Sequence, residues 1–277
     1  MPEPQTVAAL TALLGFWRAA GVDMDEAQAL WAAGAPAGKA SGAPEPGPAR
    51  APAAPPRTAA PRVRAPDSPV ETARSLAAAA DSIAALWAAV EHFEGCTLKA
   101  TARTTVFSDG VDNARVLLIG EAPGKEEDEQ GKPFVGRSGQ LLDRQLAAIG
   151  LDRAKNILIS NTIYWRPPGN RPPTQGEIAA CLPFVERLIA LAKPDLLILA
   201  GGTAAQIVLR REEGVMRMRG RRLVYSRDGL AQPVNTMVML HPAYLLRRPQ
   251  EKRLAWNDLL ALESWLDELG VAREPAL

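Results

Sequence analysis

Residues 117–136 read LLIGEAPGKEEDEQGKPFVG, and this stretch carries the signal for the fold. An apolar run, Val116 to Ile119, leads directly into a loop bounded by Gly120 and Gly124. A strand that ends in a glycine loop often binds phosphate at the start of the next helix. Here the loop contains Glu121, whose carboxylate repels phosphate, and the Gly-Lys-Ser/Thr ending of a Walker loop is absent. The stretch predicts a buried strand and then either a plain turn or a loop that binds a different chemical group.

The same strand pattern recurs three more times downstream. The further runs are NILISNTIYW, PDLLILAGG and PVNTMVMLHP, and patterns typical of helices separate them. Strands that alternate with helices indicate βαβ units and a mostly parallel sheet. Because the runs are apolar without alternation, we expect helices to cover both faces of the sheet. The sequence therefore predicts an α/β fold with four central strands.

Polar and basic residues follow each predicted strand. In open α/β sheets, binding sites form at the carboxyl ends of the strands. Four loops should meet there: Gly120–Gly124, Asn161–Arg171, Gly201–Thr203 and His241–Arg247. We therefore expect these loops to line one shared cleft.

The composition of the 277-residue chain changes before the periodic region begins. Residues 1–36 predict a short helical segment, and residues 37–70 predict a disordered linker rich in proline and alanine. The arginines of the linker either contact a polyanion or simply keep a tether solvated. The formal net charge of +1 excludes a strong overall basic field. With no long apolar run and no secretory leader, we expect a cytoplasmic protein without a membrane span.

The residue types in the expected cleft suit a flat, polar ligand. The Asn161 amide either caps a turn or reads the edge of a base, because it offers a donor and an acceptor together. Phe134 either packs locally or stacks on the face of a ligand. His241 is either a structural residue or a hydrogen-bond donor. Nearby arginines form a candidate phosphate rim: Arg137, Arg166, Arg171, Arg247 and Arg248. A pyrimidine base flipped out of DNA is one ligand that would use all of these groups.

The order of the motifs resembles the uracil-DNA glycosylase superfamily. The motifs are GEAPGKEED, GKPFVGRSGQLL, ISNTIYWRPPGNRPP, EIAACLPFV, ILAGGTAAQ and HPAYLLR, and the likeness runs from about Phe93 to Leu269. Family 4, the iron–sulfur branch, is the most similar. The resemblance implies a three-layer αβα sandwich around a four-stranded, mostly parallel sheet, assigned here to residues 71–277. It also implies hydrolysis of the bond between uracil and deoxyribose in DNA, which leaves an abasic site for base-excision repair.

The resemblance assigns a role to each matching residue. Phe134 would stack on uracil, and Asn161 would read its N3 and O4 edge. Gly120 and Glu121 would line the pocket near the sugar, with Glu121 and Asn161 among the catalytic residues. His241 would stabilise the charge that develops on uracil O2. The implied DNA contacts are Arg137, Arg166, Arg171, Tyr244, Leu245, Leu246 and Arg247, with Leu245 or Leu246 near the gap left by the flipped base.

The cysteines depart from the family pattern. Family 4 holds a [4Fe-4S] cluster on four cysteines, but this chain has Phe93 and Trp165 at two of those positions. Cys96 and Cys181 are the only cysteines, and two thiolates do not complete the usual ligand set. We therefore expect no metal and no cluster.

The functional expectation is an active hydrolase, a monofunctional uracil-DNA glycosylase whose partner is uracil-containing DNA. The alternative is a cluster-less family member that serves as a DNA-binding or repair adaptor. A nucleotide-binding enzyme is a third reading, which Glu121 and the missing lysine disfavour. The segment at residues 1–36 is a candidate docking element for a repair protein.

Overall fold

The computed structural model describes residues 68–273. The expected helical segment at residues 1–36 and nearly all of the expected linker at residues 37–70 lie outside this range. The first helix begins at Pro69, slightly before the expected domain boundary at residue 71. Ser68 caps this helix, because its hydroxyl accepts the Glu71 amide while the Glu71 carboxylate accepts the Ser68 amide.

Helices and strands alternate along most of the described range. The strands are β1 (Ser108–Gly110), β2 (Val116–Gly120), β3 (Ile157–Asn161), β4 (Leu196–Ala200), β5 (Arg222–Tyr225) and β6 (Val234–Met239). The helices are α1 (Pro69–Ala79), α2 (Ile83–His92), α3 (Lys125–Gln130), α4 (Arg137–Ala147), α5 (Gln175–Ala192), α6 (Gly202–Leu209), α7 (Val215–Met218), α8 (Pro242–Arg247) and α9 (Lys252–Glu268). Between residues 68 and 273, no helix has the length and apolar composition needed to cross a bilayer.

The sheet has six strands in the order β1-β3-β2-β4-β6-β5. The four strands expected from the sequence form its centre and pair in parallel, which confirms the α/β fold class. The expected count of four is too low, because β1 and β5 add antiparallel edges. Both edge strands are short, and their sequences, SDG and RLVY, lack the long apolar run that marks a buried central strand.

Helices cover both faces of the sheet, so the domain has three layers. On one face Leu117 and Ile119 of β2 lie in a core that includes residues of α1, α2, α5 and α6. On the other face Val116 and Leu118 lie in a core that includes residues of α4 and α9. Every residue of β2 is buried, as expected for a parallel strand between two helical layers.

A capping box fixes the start of α5, as its sequence predicts. Thr174 Oγ1 accepts the Glu177 amide at 3.4 Å, and the Glu177 carboxylate accepts the Thr174 amide at 2.8 Å. Arg171 also binds both oxygens of Glu177, at 2.6 and 2.9 Å. This pairing with Arg171 lowers the pKa of Glu177 to about 2. One carboxylate therefore anchors both the helix and the loop that follows β3.

We expect Glu177→Gln to lower the free energy of unfolding at pH 7 by about 1–2 kcal/mol, because a charge-assisted pair and part of a cap are lost. The ionised Glu177 stabilises the fold above pH 4.5, and this contribution disappears as the pH falls toward 2. Urea denaturation at several pH values should therefore show the difference between variant and wild type shrinking below pH 4.5. Glu268→Gln, which breaks an exposed pair with Arg222, is the control and should change stability little.

Candidate active site

The loops after β2, β3, β4 and β6 line one cavity at the carboxyl edge of the sheet, as expected. Its volume is about 720 Å³, within the usual range for a small-molecule site. Each loop contributes at least one polar or glycine residue to the wall: Glu121, Asn161, Gly201 and His241. The parallel pairing of the four strands brings these residues together although they are far apart in sequence.

Gly120 and Asn161 stand opposite each other at the ends of β2 and β3. A Cβ atom built on Gly120 would lie 2.4 Å from Cζ of Phe134 and 2.5 Å from Oδ1 of Asn161. Both distances are far below van der Waals contact. Only glycine therefore lets the aromatic ring and the amide approach the end of β2 together.

Asn161 carries a side-chain amide without a hydrogen-bond partner among residues 68–273. The residue is only 2% exposed, and it lines the cavity. A carboxamide that lines a cavity without a protein partner leaves both its donor and its acceptor available to a ligand. Backbone bonds hold the position firmly, because the amides of Thr162 and Ile163 donate to the carbonyl groups of Gly120 and Glu121 at 2.9 and 3.1 Å.

Phe134 adopts a left-handed backbone conformation, with φ at 55°. This region is unfavourable for an aromatic residue and needs support from its surroundings. Part of the support comes from Glu127, whose Oε1 atom accepts the amides of Val135 and Gly136 at 3.0 Å each. Gly139 also allows close approach, since a Cβ there would lie 1.9 Å from the Phe134 carbonyl oxygen.

Two acids of the run after the glycine loop hold the backbone of neighbouring segments in place. Glu127 and Asp128 are buried in α3, whereas Glu126 and Glu129 are exposed. Besides holding the segment after Phe134, Glu127 accepts the Gly124 amide at 3.1 Å. Asp128 accepts the backbone amides of Arg103 and Thr104 at 2.8 and 3.2 Å. These carboxylates are therefore engaged in organising the loop.

His241 caps α8 and faces Phe134 across the cavity. Its Nδ1 atom accepts the Ala243 amide at 3.1 Å, so the proton of the neutral ring lies on Nε2. Burial, together with the charge of Arg247, lowers the pKa of His241 to about 4. The imidazole and the Phe134 ring have centroids 5.6 Å apart. The histidine can thus donate a hydrogen bond from a neutral ring at physiological pH.

The expected DNA contacts divide into two groups. Five of them line the cavity: Arg137, Arg171, Tyr244, Leu246 and Arg247. Leu245 does not, because it is completely buried against Leu240 and Ala255 in a small core below α8, and this excludes it from the expected contact with DNA. Arg166 also lies outside the wall and donates to Asn170 Oδ1 at 2.7 Å.

Several wall residues are not singled out by the sequence, among them Glu127, Val215 and Asn170, the last of which lies within an expected loop. Asn170 follows Gly169, and both have positive φ, so the Gly-Asn pair in a proline-rich loop is a usable turn signal. Glu127 is one of four neighbouring acids, and the sequence does not distinguish the buried ones. Val215 starts the short helix α7, and its sequence gives no sign that it faces the cavity.

Comparison with known proteins decides the family. The sequence model described as "Uracil DNA glycosylase superfamily" matches residues 107–260, which include β2, β3, β4 and β6 and the whole cavity wall. The chain belongs to the uracil-DNA glycosylase superfamily. Type-4 uracil-DNA glycosylases are among its similar proteins. The protein of Archaeoglobus fulgidus is 35% identical over 159 residues, which cover 56% of this chain and 78% of the relative.

Two further type-4 uracil-DNA glycosylases match over a similar region. The protein of Pyrobaculum aerophilum is 34% identical and covers 58% of this chain and 82% of its own length. The protein of Thermotoga maritima is 33% identical and covers 65% of this chain and 93% of its own length. The resemblance to family 4 is therefore confirmed.

The resemblance to family 4 aligns four positions of this chain with cluster cysteines, and the residues at these positions, Phe93, Cys96, Trp165 and Cys181, are all buried in one core. Phe93 and Trp165 are each 1% exposed, and their ring centroids are 6.4 Å apart. The free thiols of Cys96 and Cys181 are both buried, and the neighbouring Cys96 thiol together with burial raises the pKa of Cys181 well above its usual value. Two thiols and two packed aromatic rings do not fit a [4Fe-4S] cluster, which needs four ligands. Within the described residues, no group of three or more His, Cys, Asp or Glu side chains is arranged to hold a metal ion.

We expect His241 to stay neutral, with its proton on Nε2, at every pH above about 4. Long-range ¹H–¹⁵N NMR spectra recorded between pH 4 and 8 report both the tautomer and the charge of the ring. His92, the other histidine, is exposed on α2, and a His92→Gln variant assigns the signals. A His241 midpoint near 6.5 would contradict the burial of the ring.

Because the unfolded histidine binds a proton below about pH 6.5 and the folded one does not, His241 should also reduce stability as the pH falls from 6.5 to 4.

Proposed function

We propose that this chain is a uracil-DNA glycosylase that hydrolyses the N-glycosidic bond of a uracil flipped out of DNA. The observation that carries the proposal is the amide of Asn161, which has no protein partner among residues 68–273 and lines the same cavity as the Phe134 ring and the neutral His241. A flipped pyrimidine needs an aromatic face, a donor–acceptor pair for its edge and a donor for its carbonyl group. The cavity supplies these three groups.

Asn161 accounts for the choice of base. Its Oδ1 atom can accept the N3–H group of uracil while its Nδ2 atom donates to O4. Cytosine presents an acceptor at N3 and an amino donor at C4, so the same arrangement would leave both pairs mismatched. A site built to hydrogen bond one pattern rejects the other strongly, because its buried polar group would stay unpaired.

His241 accounts for the departure of the base. As the glycosidic bond breaks, negative charge accumulates on uracil O2, and a fixed Nε2–H donor stabilises that charge more than it stabilises the substrate. A neutral histidine suits this task, since it gives no charge that would bind the ground state. Its hydrogen bond to the Ala243 amide holds the ring and its tautomer. No proton transfer from His241 is required.

Glu121 accounts for the other half of the charge separation. The sugar becomes cation-like while uracil leaves, and a carboxylate beside it lowers the energy of that state. Glu121 lines the cavity, and its carbonyl group accepts hydrogen bonds from the Thr162 hydroxyl and the Ile163 amide, which directly follow β3. Arg137, Arg171 and Arg247 at the rim bind the flanking phosphates in this proposal. Water adds its oxygen to C1′ of the sugar and releases a proton that neutralises the departing uracil anion. The products are free uracil and DNA with an abasic site, the substrate of the next step of base-excision repair.

The activity test uses the full chain and an oligonucleotide with one uracil, single- or double-stranded, followed by alkali to cleave the abasic site. We expect cleavage by the wild type and a loss of about 10²–10³-fold in rate for His241→Ala, the usual effect of removing one donor to a developing oxyanion. Asn161→Ala should lose activity to a similar degree. His92→Ala changes the only other histidine, which is exposed on α2, and should retain full activity.

One result would reject this function, and another would reject only the role of His241. Binding to the oligonucleotide without cleavage would support a DNA-binding adaptor. Equal activity of wild type and His241→Ala would remove the histidine from the mechanism.

We also propose that the chain folds and acts without an iron–sulfur cluster, with Phe93 and Trp165 filling the space by packing. The Phe93 ring contacts Phe184 as well, with centroids 5.1 Å apart, and Trp165 Nε1 donates to Thr105 Oγ1 at 3.1 Å. These contacts connect the segment after α2 to β3 and α5.

We expect purified protein to contain no stoichiometric iron and to show no broad visible absorbance band, even after anaerobic incubation with ferrous iron and sulfide. Iron analysis, absorbance spectra and thermal melts with and without a chelator provide the measurements. A melting temperature that falls when the chelator is added would show that a metal contributes to folding.

A further inference from the structure

The ring of Phe134 depends on a backbone conformation that the residue itself does not favour. Its φ of 55° belongs to the left-handed region, where an aromatic side chain is strained. Two peptide planes meet at its Cα atom, one ending in the Pro133 carbonyl group and the other carrying the Phe134 carbonyl group. Whatever fixes the direction of both carbonyl groups also fixes the direction of the Cα–Cβ bond, and this limits the positions that the ring can take through its side-chain rotamers.

Arg153 binds both of these carbonyl groups. Its Nη1 atom donates to Pro133 O at 3.0 Å, and its Nη2 atom donates to Phe134 O at 2.8 Å. The side chain is 19% exposed and lies in the segment between α4 and β3, nineteen residues after Phe134. Arginine is suited to this contact because its planar guanidinium group presents donors in a fixed fork.

Two carboxylates hold the guanidinium group of Arg153 in turn. Asp109 of β1 accepts from Nη1 at 2.9 Å. Asp143 of α4 accepts from Nε at 3.1 Å and from Nη2 at 2.7 Å. Arg153 therefore has little freedom to rotate away, and it links an edge strand and a helix to the backbone of Phe134.

We propose that Arg153 is a positioning residue for the Phe134 ring, and hence for the uracil that this ring stacks on. The inference rests on the proposed function. The two residues after Phe134 are held as well, because the amides of Val135 and Gly136 donate to the Glu127 carboxylate. Arg153 thus binds backbone carbonyl groups of this segment, and Glu127 binds its backbone amides. Arg153 itself does not touch the base; it acts through Phe134.

A double-mutant cycle tests this dependence. We expect Arg153→Met to slow uracil release about 10- to 100-fold in single-turnover assays with the full chain in excess, a loss similar to that of Phe134→Ala, because stacking on the base is impaired. The double variant should be no slower than the slower single variant, within about threefold. Affinity for DNA with a tetrahydrofuran abasic analogue should stay within about twofold, since the arginines of the rim are unchanged.

Arg187→Met is the matched control. Arg187 also donates twice to a backbone carbonyl, that of Ala80, at 2.6 and 2.9 Å, but it lies on α5 outside the cavity wall. Its variant should lose stability and keep its single-turnover rate. Arg153→Lys should recover part of the rate, because an ammonium group reaches one carbonyl group. Asp143→Asn should give a smaller loss than Arg153→Met, and this loss should vanish when Phe134 is already alanine. If Arg153→Met does not fold, Asp143→Asn takes its place in the double-mutant cycle.

A second readout is independent of activity. In the wild type, the Phe134 ring imposes a ring-current shift on the nearby ring protons of His241. This shift should be lost in Phe134→Ala, strongly reduced in Arg153→Met and unchanged in Arg187→Met. An inactive wild type would refute the proposed function and leave this test in place. Multiplicative rate losses in the cycle, or an unchanged ring-current shift in Arg153→Met, would overturn the role of Arg153.

Discussion

The site depends on one steric constraint, the absence of a side chain at Gly120. The parallel register of β2 and β3 puts Gly120 opposite Asn161, and the missing Cβ leaves the space that the Phe134 ring and the Asn161 amide occupy. Any larger residue at the end of β2 would force one of these groups away. Two other features surround Gly120. The hydrogen-bonded backbone at Phe134 presents a flat ring, and His241, which caps α8, presents a donor.

Several polar groups of the pocket hold its own backbone in place, whereas the Asn161 amide does not. The carboxylates of Glu127 and Asp128 accept hydrogen bonds from backbone amides, and Nδ1 of His241 accepts the amide of Ala243 at the start of α8. Asn161 has no partner among the described residues, although it is buried nearly as completely. A preorganised site of this kind needs little rearrangement when a ligand arrives, because its geometry is determined before binding. This difference supports the proposal that the Asn161 amide contacts the ligand.

At the positions that the resemblance aligns with cluster cysteines, packed aromatic side chains connect helices to the sheet. Phe93 and Trp165 lie in the core that joins α1, α2 and α5 to the sheet, in contact with Phe184 and Tyr164. Buried aromatic side chains contribute strongly to such a core because each removes a large apolar area from water. The free thiols of Cys96 and Cys181 are buried in the same core. Hydrophobic packing therefore attaches α1 and α2 to α5 and the sheet.

The sequence by itself determined the central sheet and the placement of the cleft. Continuous apolar runs identify β2, β3, β4 and β6 because both faces of a parallel strand are covered, and the ends of such strands meet at one edge. Thr174 and Glu177 could likewise be recognised as a cap, since a capping box is local in sequence. Only the tertiary structure decided the contacts between distant segments. The edge strands β1 and β5 are too short to carry a pattern, and burial of Leu245 in preference to Leu246 depends on how α8 rotates against the core. The hold of Arg153 on Phe134, and the distinction between buried Glu127 and its exposed acidic neighbours, follow from packing in three dimensions, which no local pattern of residues encodes.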